Sequence, residues 1–291
     1  MTATAATRPP APARVLPARQ GPRVGRVVAA EWSKLTSLRS PAAVAVASVA
    51  VSGVLTWLSA NASSTDPGFD PLDSLGTGLP LAQVGLLVLG VLVGTGEFST
   101  GTFRSTFTAV PRRLPVLAAQ LVVTAAAALV VSVLAVAAAV VGLLPAAGSR
   151  GMTLDLAGEG TPQLLTGMAF QLVAMALLGF ALGSLLRRTV PAVVAAVVLV
   201  LVLPVVLMIA SDPGFGGAPP VGVAASAPEV TAVGTVTAVL PGGAVTYLVP
   251  GTGGFDGAPD LGVAGGAAVF AAWVLVPLGV AAVRLRTRDL V

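Results

Sequence analysis

Cysteine and histidine are both absent from this chain of 291 residues. Their absence excludes disulfides, Cys/His zinc sites, thiolate nucleophiles and imidazole acid–base chemistry. Lysine occurs only at Lys34, so no GxxxxGK[ST] phosphate loop can be written and the chain is not expected to hydrolyse ATP. Charge is scarce as well, 10% of residues against roughly 25% in an average soluble domain. Chemistry built on carboxylates or serine remains formally open.

What is present is mostly hydrocarbon. Hydrophobic residues make up 55% of the chain, and the mean hydropathy is +0.94. A soluble fold of this length has too little interior to hide that much apolar surface, so the solvent for most of the chain is expected to be lipid. The net charge of +4 would suggest nucleic acid if the basic residues formed a patch on a soluble domain, but they are spread among the ends of the apolar runs.

Six runs are long enough to cross a bilayer core of about 30 Å. They cover residues 42–60, 79–95, 114–144, 162–186, 190–210 and 261–283. The third is longer than a perpendicular span requires, which predicts a tilted or projecting helix. Pro162 suits the first turn of the fourth, and Pro204 predicts a kink in the fifth. Gly85, Gly90 and Gly94 in the second run would allow close helix contact, or they reflect only a chain with 34 glycines. Polar loops are expected at 61–78 and 145–161.

Ahead of the runs, residues 1–23 are rich in Ala, Pro and Thr and read as a disordered cytoplasmic tail rather than a signal peptide. Residues 24–40 read as an amphipathic helix lying in the headgroup layer. Val24, Val28, Trp32 and Leu35 share one side, while Arg26, Glu31, Lys34 and Ser37 take the other. Between the fifth and sixth runs, residues 230–249 are apolar but split at Pro241, Gly242 and Gly243. Two half-helices forming a re-entrant or interfacial hairpin fit that pattern better than a seventh span. The expected fold class is therefore an all-α membrane protein with six transmembrane helices over residues 41–291, an N-terminal amphipathic elbow helix and a broken hairpin before the last helix.

Every basic residue except Arg150 lies in the N-terminal region, in 94–113, at Arg187 and Arg188, or after residue 283. The positive-inside rule then predicts a multi-pass protein of the cell membrane with both termini in the cytoplasm. Acidic residues agree: Asp66, Asp70, Asp73, Asp155 and Glu159 fall in the loops on the opposite side. No charged residue lies near the middle of a run, which disfavours a proton-coupled carrier, because such carriers need an ionisable group at mid-membrane.

The most polar interval between long runs is 94–113, GTGEFSTGTFRSTFTAVPRR. Within it, Glu97-Phe98-Ser99-Thr100-Gly101-Thr102-Phe103-Arg104 resembles the E-[FY]-x-x-G-T-x-R signature of ABC-2 type transporter permeases. Upstream, Glu31-Trp32-Ser33-Lys34-Leu35 followed by Leu38-Arg39-Ser40 is similar to the amphipathic elbow that precedes the first span in that family. The resemblance implies the non-catalytic membrane subunit of an ABC exporter, paired with a second permease subunit as a homo- or heterodimer and driven by separate cytoplasmic ATPase subunits. ATP and magnesium would sit on those partners, with no cofactor or metal on this chain.

The family's coupling helix maps onto residues 102–109. Gly101 would permit the departure from the span, and Phe103 and Phe107, four apart, would share a face that fills an apolar notch on the ATPase or rests in the lipid interface. Glu97 would tie the base of the second span to a cation, with Lys34 or Arg104 as candidates. The absence of charge from the spans suggests an apolar or amphiphilic cargo such as a lipid or drug-like molecule, moved out of the cytoplasm. A non-transport membrane scaffold or sensor, or a passive channel, are the alternative readings of the same topology.

Overall fold

The computed structural model describes residues 24–99, 113–211, 230–250 and 257–287. Among them there is no strand, and six helices are long and apolar enough to cross a membrane. The fold is all-α, and the chain is a multi-pass membrane protein. Its outer surface shows why: Val46, Val54, Val190 and Val194 point away from the protein with more than half their area uncovered, an arrangement that water would penalise and lipid does not.

Helix α1 (Val24–Ser37) ends at Leu38, whose extended backbone (φ −88°, ψ 130°) turns the chain into α2 (Arg39–Ser63). Only Val27 and Glu31 of α1 are buried, while Val24 and Trp32 are exposed. The faces therefore differ from the amphipathic reading of the sequence. Val24 and Trp32 are free to enter lipid, Val28 packs beside the buried Val27, and the side turned to the protein carries Glu31. Helix α2 is followed by a 3₁₀ segment (Pro71–Gly78), begun where Asp70 Oδ1 accepts from the Leu72 N–H at 2.9 Å. That segment runs directly into α3 (Leu79–Ser99).

Two helices outrun the lengths expected from the sequence. Helix α3 continues past Gly94, so Glu97 lies on its last turn rather than in a loop. The reason is packing, since a Cβ on Gly94 would come 2.5 Å from the Phe180 carbonyl oxygen. This glycine admits a neighbouring backbone and does not end the helix. Helix α4 (Arg113–Ser149) is 37 residues long and passes through Pro145, which had been expected to open a loop. Pro145 removes one bond of the helical ladder, and the helix runs on with Ala146 and Ala147 just beyond it buried.

Helix α5 (Thr161–Leu186) begins at Gly160, whose φ of +86° is readily open only to glycine, and has Pro162 in its first turn as the sequence predicts. The fifth span is helix α6 (Thr189–Val197), a π-helical turn (Val198–Val202) and helix α7 (Leu203–Ser211). The expected disturbance at Pro204 thus takes the form of a widened turn. Pro204 has no N–H to give the Val200 carbonyl, and Gly242 packs so closely there that a Cβ would lie 2.4 Å from that oxygen.

Beyond it, α8 (Ala232–Val239) breaks at Leu240 (φ −64°, ψ 150°) before α9 (Pro241–Ala244) and a short 3₁₀ turn (Thr246–Leu248). An eight-residue helix reaches only about 12 Å, too short to cross. Trp273 Nε1 of the last helix, α10 (Gly262–Thr287), donates to the Val239 carbonyl at 2.8 Å and so pins the break.

The tightest seam joins α3 to α5. A Cβ on Gly90 would lie 1.9 Å from the Ala176 carbonyl oxygen, and one on Gly179 would lie 2.0 Å from that of Leu87. Glycine on both sides lets the backbones touch, and dispersion replaces the hydrophobic drive that lipid removes. Gln171 Nε2 donates to Gln83 Oε1 across the same pair at 3.1 Å. Helix α2 lies on α4 in similar fashion, with Gly53 against Ala138 and the Ser52 hydroxyl donating to the Ala135 carbonyl at 3.0 Å. These contacts bring α1, the end of α3, the start of α4, Arg187 and Arg284 to one end of the bundle. Arg150 and the aspartates at 66, 70 and 73 are at the other.

Candidate functional site at the basic end of the bundle

Helix α1 lies against α4 over a small apolar floor of Val27, Val116 and Ala119. One turn beyond Val27, Glu31 is directed inward, and Lys34 follows three residues later on the same side. The last turn of α3 delivers Glu97 from a position 63 residues away in sequence. Lys34 Nζ donates to Glu31 Oε1 at 2.6 Å and to Glu97 Oε1 at 3.0 Å. From α4, Gln120 Nε2 donates to Glu31 Oε2 at 3.4 Å. Three helices therefore meet on one ammonium, two carboxylates and one amide.

Burial is uneven across the cluster. Glu31, Glu97 and Gln120 are each more than nine-tenths covered, whereas the Lys34 side chain keeps 46% of its surface open. Burial pulls the Lys34 ammonium toward deprotonation, but its hydrogen bonds to Glu31 and Glu97 and their charges outweigh that, so its pKa is raised above 10.5. The ion pairs hold at neutral pH.

Neighbouring contacts close the same end. Arg187 caps α5 in the left-handed conformation (φ +57°), with its N–H on the Gly183 carbonyl at 2.8 Å. A side chain other than glycine pays about 1–2 kcal/mol for that backbone. Its guanidinium lies 5.0 Å from the centre of the Phe98 ring, a cation–π contact that joins α5 to α3. Thr95 and Thr189 hydroxyls meet at 3.0 Å, and Arg284 Nη1 donates to the Leu185 carbonyl at 3.1 Å.

Of the residues that the sequence singles out, Glu31, Lys34 and Glu97 come together, and Phe98 lies beside them under Arg187. Trp32 and Leu35 take no part in the cluster; Trp32 is exposed and Leu35 half-buried. Gly101, Thr102, Phe103, Arg104 and Phe107 lie outside the described residues, as does the N-terminal tail. The cation that Glu97 reaches among the described residues is Lys34. Sequence reasoning missed Gln120, whose only signal is one amide in a long apolar run, and Arg187, which reads simply as a charge at the end of a span.

Chemically, the cluster is a clasp. It has no nucleophile poised against a base. Among the described residues, no three His, Cys, Asp or Glu side chains are placed to hold a metal ion. What it does is link helix α1 to the end of α3, from which the chain enters residues 100–112. No model of a known protein family and no curated protein matches the chain.

Proposed function

We propose that this chain is the membrane-spanning permease subunit of an ATP-driven exporter of the ABC-2 type, moving an apolar or amphiphilic molecule out of the cytoplasm. The observation that carries the reading is the 3.0 Å bond between Lys34 and Glu97. The two short segments that resemble the permease family, the elbow and the signature, lie far apart in sequence and are joined through a charged residue of each. A chance likeness in either segment would give no reason for them to meet.

In this reading the basic end of the bundle faces the cytoplasm of the cell membrane, as the distribution of Arg and Lys favours. Residues 101–107 receive the thrust of a separate ATPase subunit, which carries ATP and magnesium. Glu97 passes that movement to α3 and, through Lys34, to α1. A second permease subunit completes the pathway. The apolar spans, with Gln83 and Gln171 bonded to each other, offer a cargo no fixed charge.

The test is co-purification from membranes in mild detergent, comparing the wild-type protein with a Phe103→Ala/Arg104→Glu double variant. A cytoplasmic ATPase that accompanies the wild type and is lost from the variant is the expected result. If no ATPase accompanies either form while the membrane complex stays intact, the transporter reading fails and a scaffold or channel takes its place.

A further inference from the structure

We propose that the corner where α5, α6 and α10 meet at the basic end of the bundle holds the phosphate headgroup of an anionic phospholipid, with Arg188 and Arg284 as its main contacts and Arg286 beside them. Arg284, in the last turn of α10, donates from Nη1 to the Leu185 carbonyl at 3.1 Å, which draws its guanidinium to the end of α5. Arg188 follows three residues after Leu185 as the extended residue ahead of α6 (φ −134°, ψ 126°). Its side chain is exposed and has no protein partner among the described residues, and the same holds for Arg286.

The surroundings of these arginines are those of a lipid boundary. Leu186, Val190 and Val283 stand next to them in sequence with apolar side chains exposed. On a chain that spans the membrane, such side chains meet acyl chains, and an arginine at the end of the same span reaches the phosphate layer with its stem along the hydrocarbon. The site needs only membrane residence, whatever the chain transports.

Charge selects the headgroup. Among the described residues, the carboxylates at this end are Glu31 and Glu97, both buried and both bonded to Lys34. Arg188, Arg284 and Arg286 are therefore left without an acidic side chain of the protein. A second copy of the chain has no other carboxylate to bring from the same end among those residues. A zwitterionic headgroup carries its own cation, whereas an anionic one leaves its phosphate to the forked guanidinium donors, and basic pockets between membrane helices bind such headgroups.

The test uses the full chain in phosphatidylcholine liposomes with a fluorophore on Val190→Cys, two residues from Arg188, which labels uniquely because the chain has no cysteine. Phosphatidylglycerol or phosphatidylcholine brominated on its acyl chains is added as quencher at equal mole fraction. The expected result is an apparent affinity for phosphatidylglycerol higher by roughly fivefold or more, reduced to near parity in Arg188→Gln/Arg284→Gln. A label at Val54→Cys, exposed on α2, should be quenched alike by the two lipids. Equal quenching at Val190→Cys in the otherwise wild-type chain overturns the proposal, whether or not the double variant folds. The proposal also fails if the same preference appears at Val54→Cys, which marks general attraction, or survives in the double variant. A label at Val190→Cys that neither lipid quenches would mean that a protein covers this corner, and would refute it as well.

Discussion

Lys34 is the chain's only lysine, and among the described residues it is the one hydrogen-bonded to both carboxylates of the clasp. Replacing it by methionine keeps the stem that covers apolar surface and removes the charge. Glu31 and Glu97 are then left buried without their cation, at a cost of about 1–3 kcal/mol, toward the lower end because the ammonium is half exposed. Denaturation in detergent micelles should show that loss for Lys34→Met. The double variant Lys34→Met/Glu97→Gln should be less destabilised than the two single losses added together, because one buried charge disappears with its partner. Strict additivity would mean that the two residues do not interact.

The pH dependence follows from the direction of the Lys34 shift. A lysine whose folded pKa is raised stabilises fully below its unfolded value, and the contribution is lost as pH rises through the folded one. The contact of α1 with α3 should therefore be constant through neutral pH and released only in alkali, above 10.5. A nitroxide attached at Ser33→Cys, on the exposed side of α1, would report this as a rise in mobility confined to alkaline pH. A rise near neutrality would require another titrating group. The signature motif made Glu97 legible in the sequence, but it left Lys34 and Arg104 open as partners. Gln120 and Arg187 were illegible, because their roles come from neighbours far away in the chain.

At the scale of elements, helix positions were legible and helix ends were not. Apolar length locates a span, but where it stops depends on what packs against its last turn. The expected end of the second run at 95 and of the third at 144, just before Pro145, both lie within helices. Pro204 signals a disturbance, yet its form as a π turn depends on the close approach of Gly242 to the Val200 carbonyl. The glycines of α3 were ambiguous as letters, and packing gives each a distinct role: Gly90 and Gly94 admit the backbone of α5, and Gly85 lies against Ser48 of α2.

That seam makes a sharp prediction. Gly90→Ala adds one methyl directly against the Ala176 carbonyl oxygen, so α3 and α5 must separate, at a cost of about 1–3 kcal/mol. Gly279→Ala in α10 meets nothing within 4 Å and should be neutral or slightly stabilising, because alanine is the better helix former by up to about 1 kcal/mol. Thermal unfolding of the two variants in the same lipid decides it. Equal melting temperatures would mean that the α3–α5 contact is looser than the structure has it.

For the whole molecule, the charge distribution is both the most legible feature and the one that the proposed function depends on most. Among the described residues, the basic ones gather at the end of the bundle that carries the clasp, and Arg150 is alone at the other, where it donates to the Ser64 and Asp66 carbonyls. The proposed function needs a cytoplasmic ATPase to meet residues 101–107, which requires the basic end to be cytoplasmic, so orientation and that reading stand or fall together. The absence of cysteine allows a direct test, since any introduced thiol reacts without background. Ser33→Cys on α1 and Thr153→Cys in the loop after α4 are both exposed and lie at opposite ends. In intact cells a membrane-impermeant maleimide should label Thr153→Cys and spare Ser33→Cys until the membrane is broken, after which both should react. The reverse pattern would put the clasp outside the cell, beyond the reach of any ATP-driven partner, while leaving the fold and the ion pairs unchanged. Labelling thus separates the architecture, which rests on packing, from the transport reading, which also needs the basic end to face ATP.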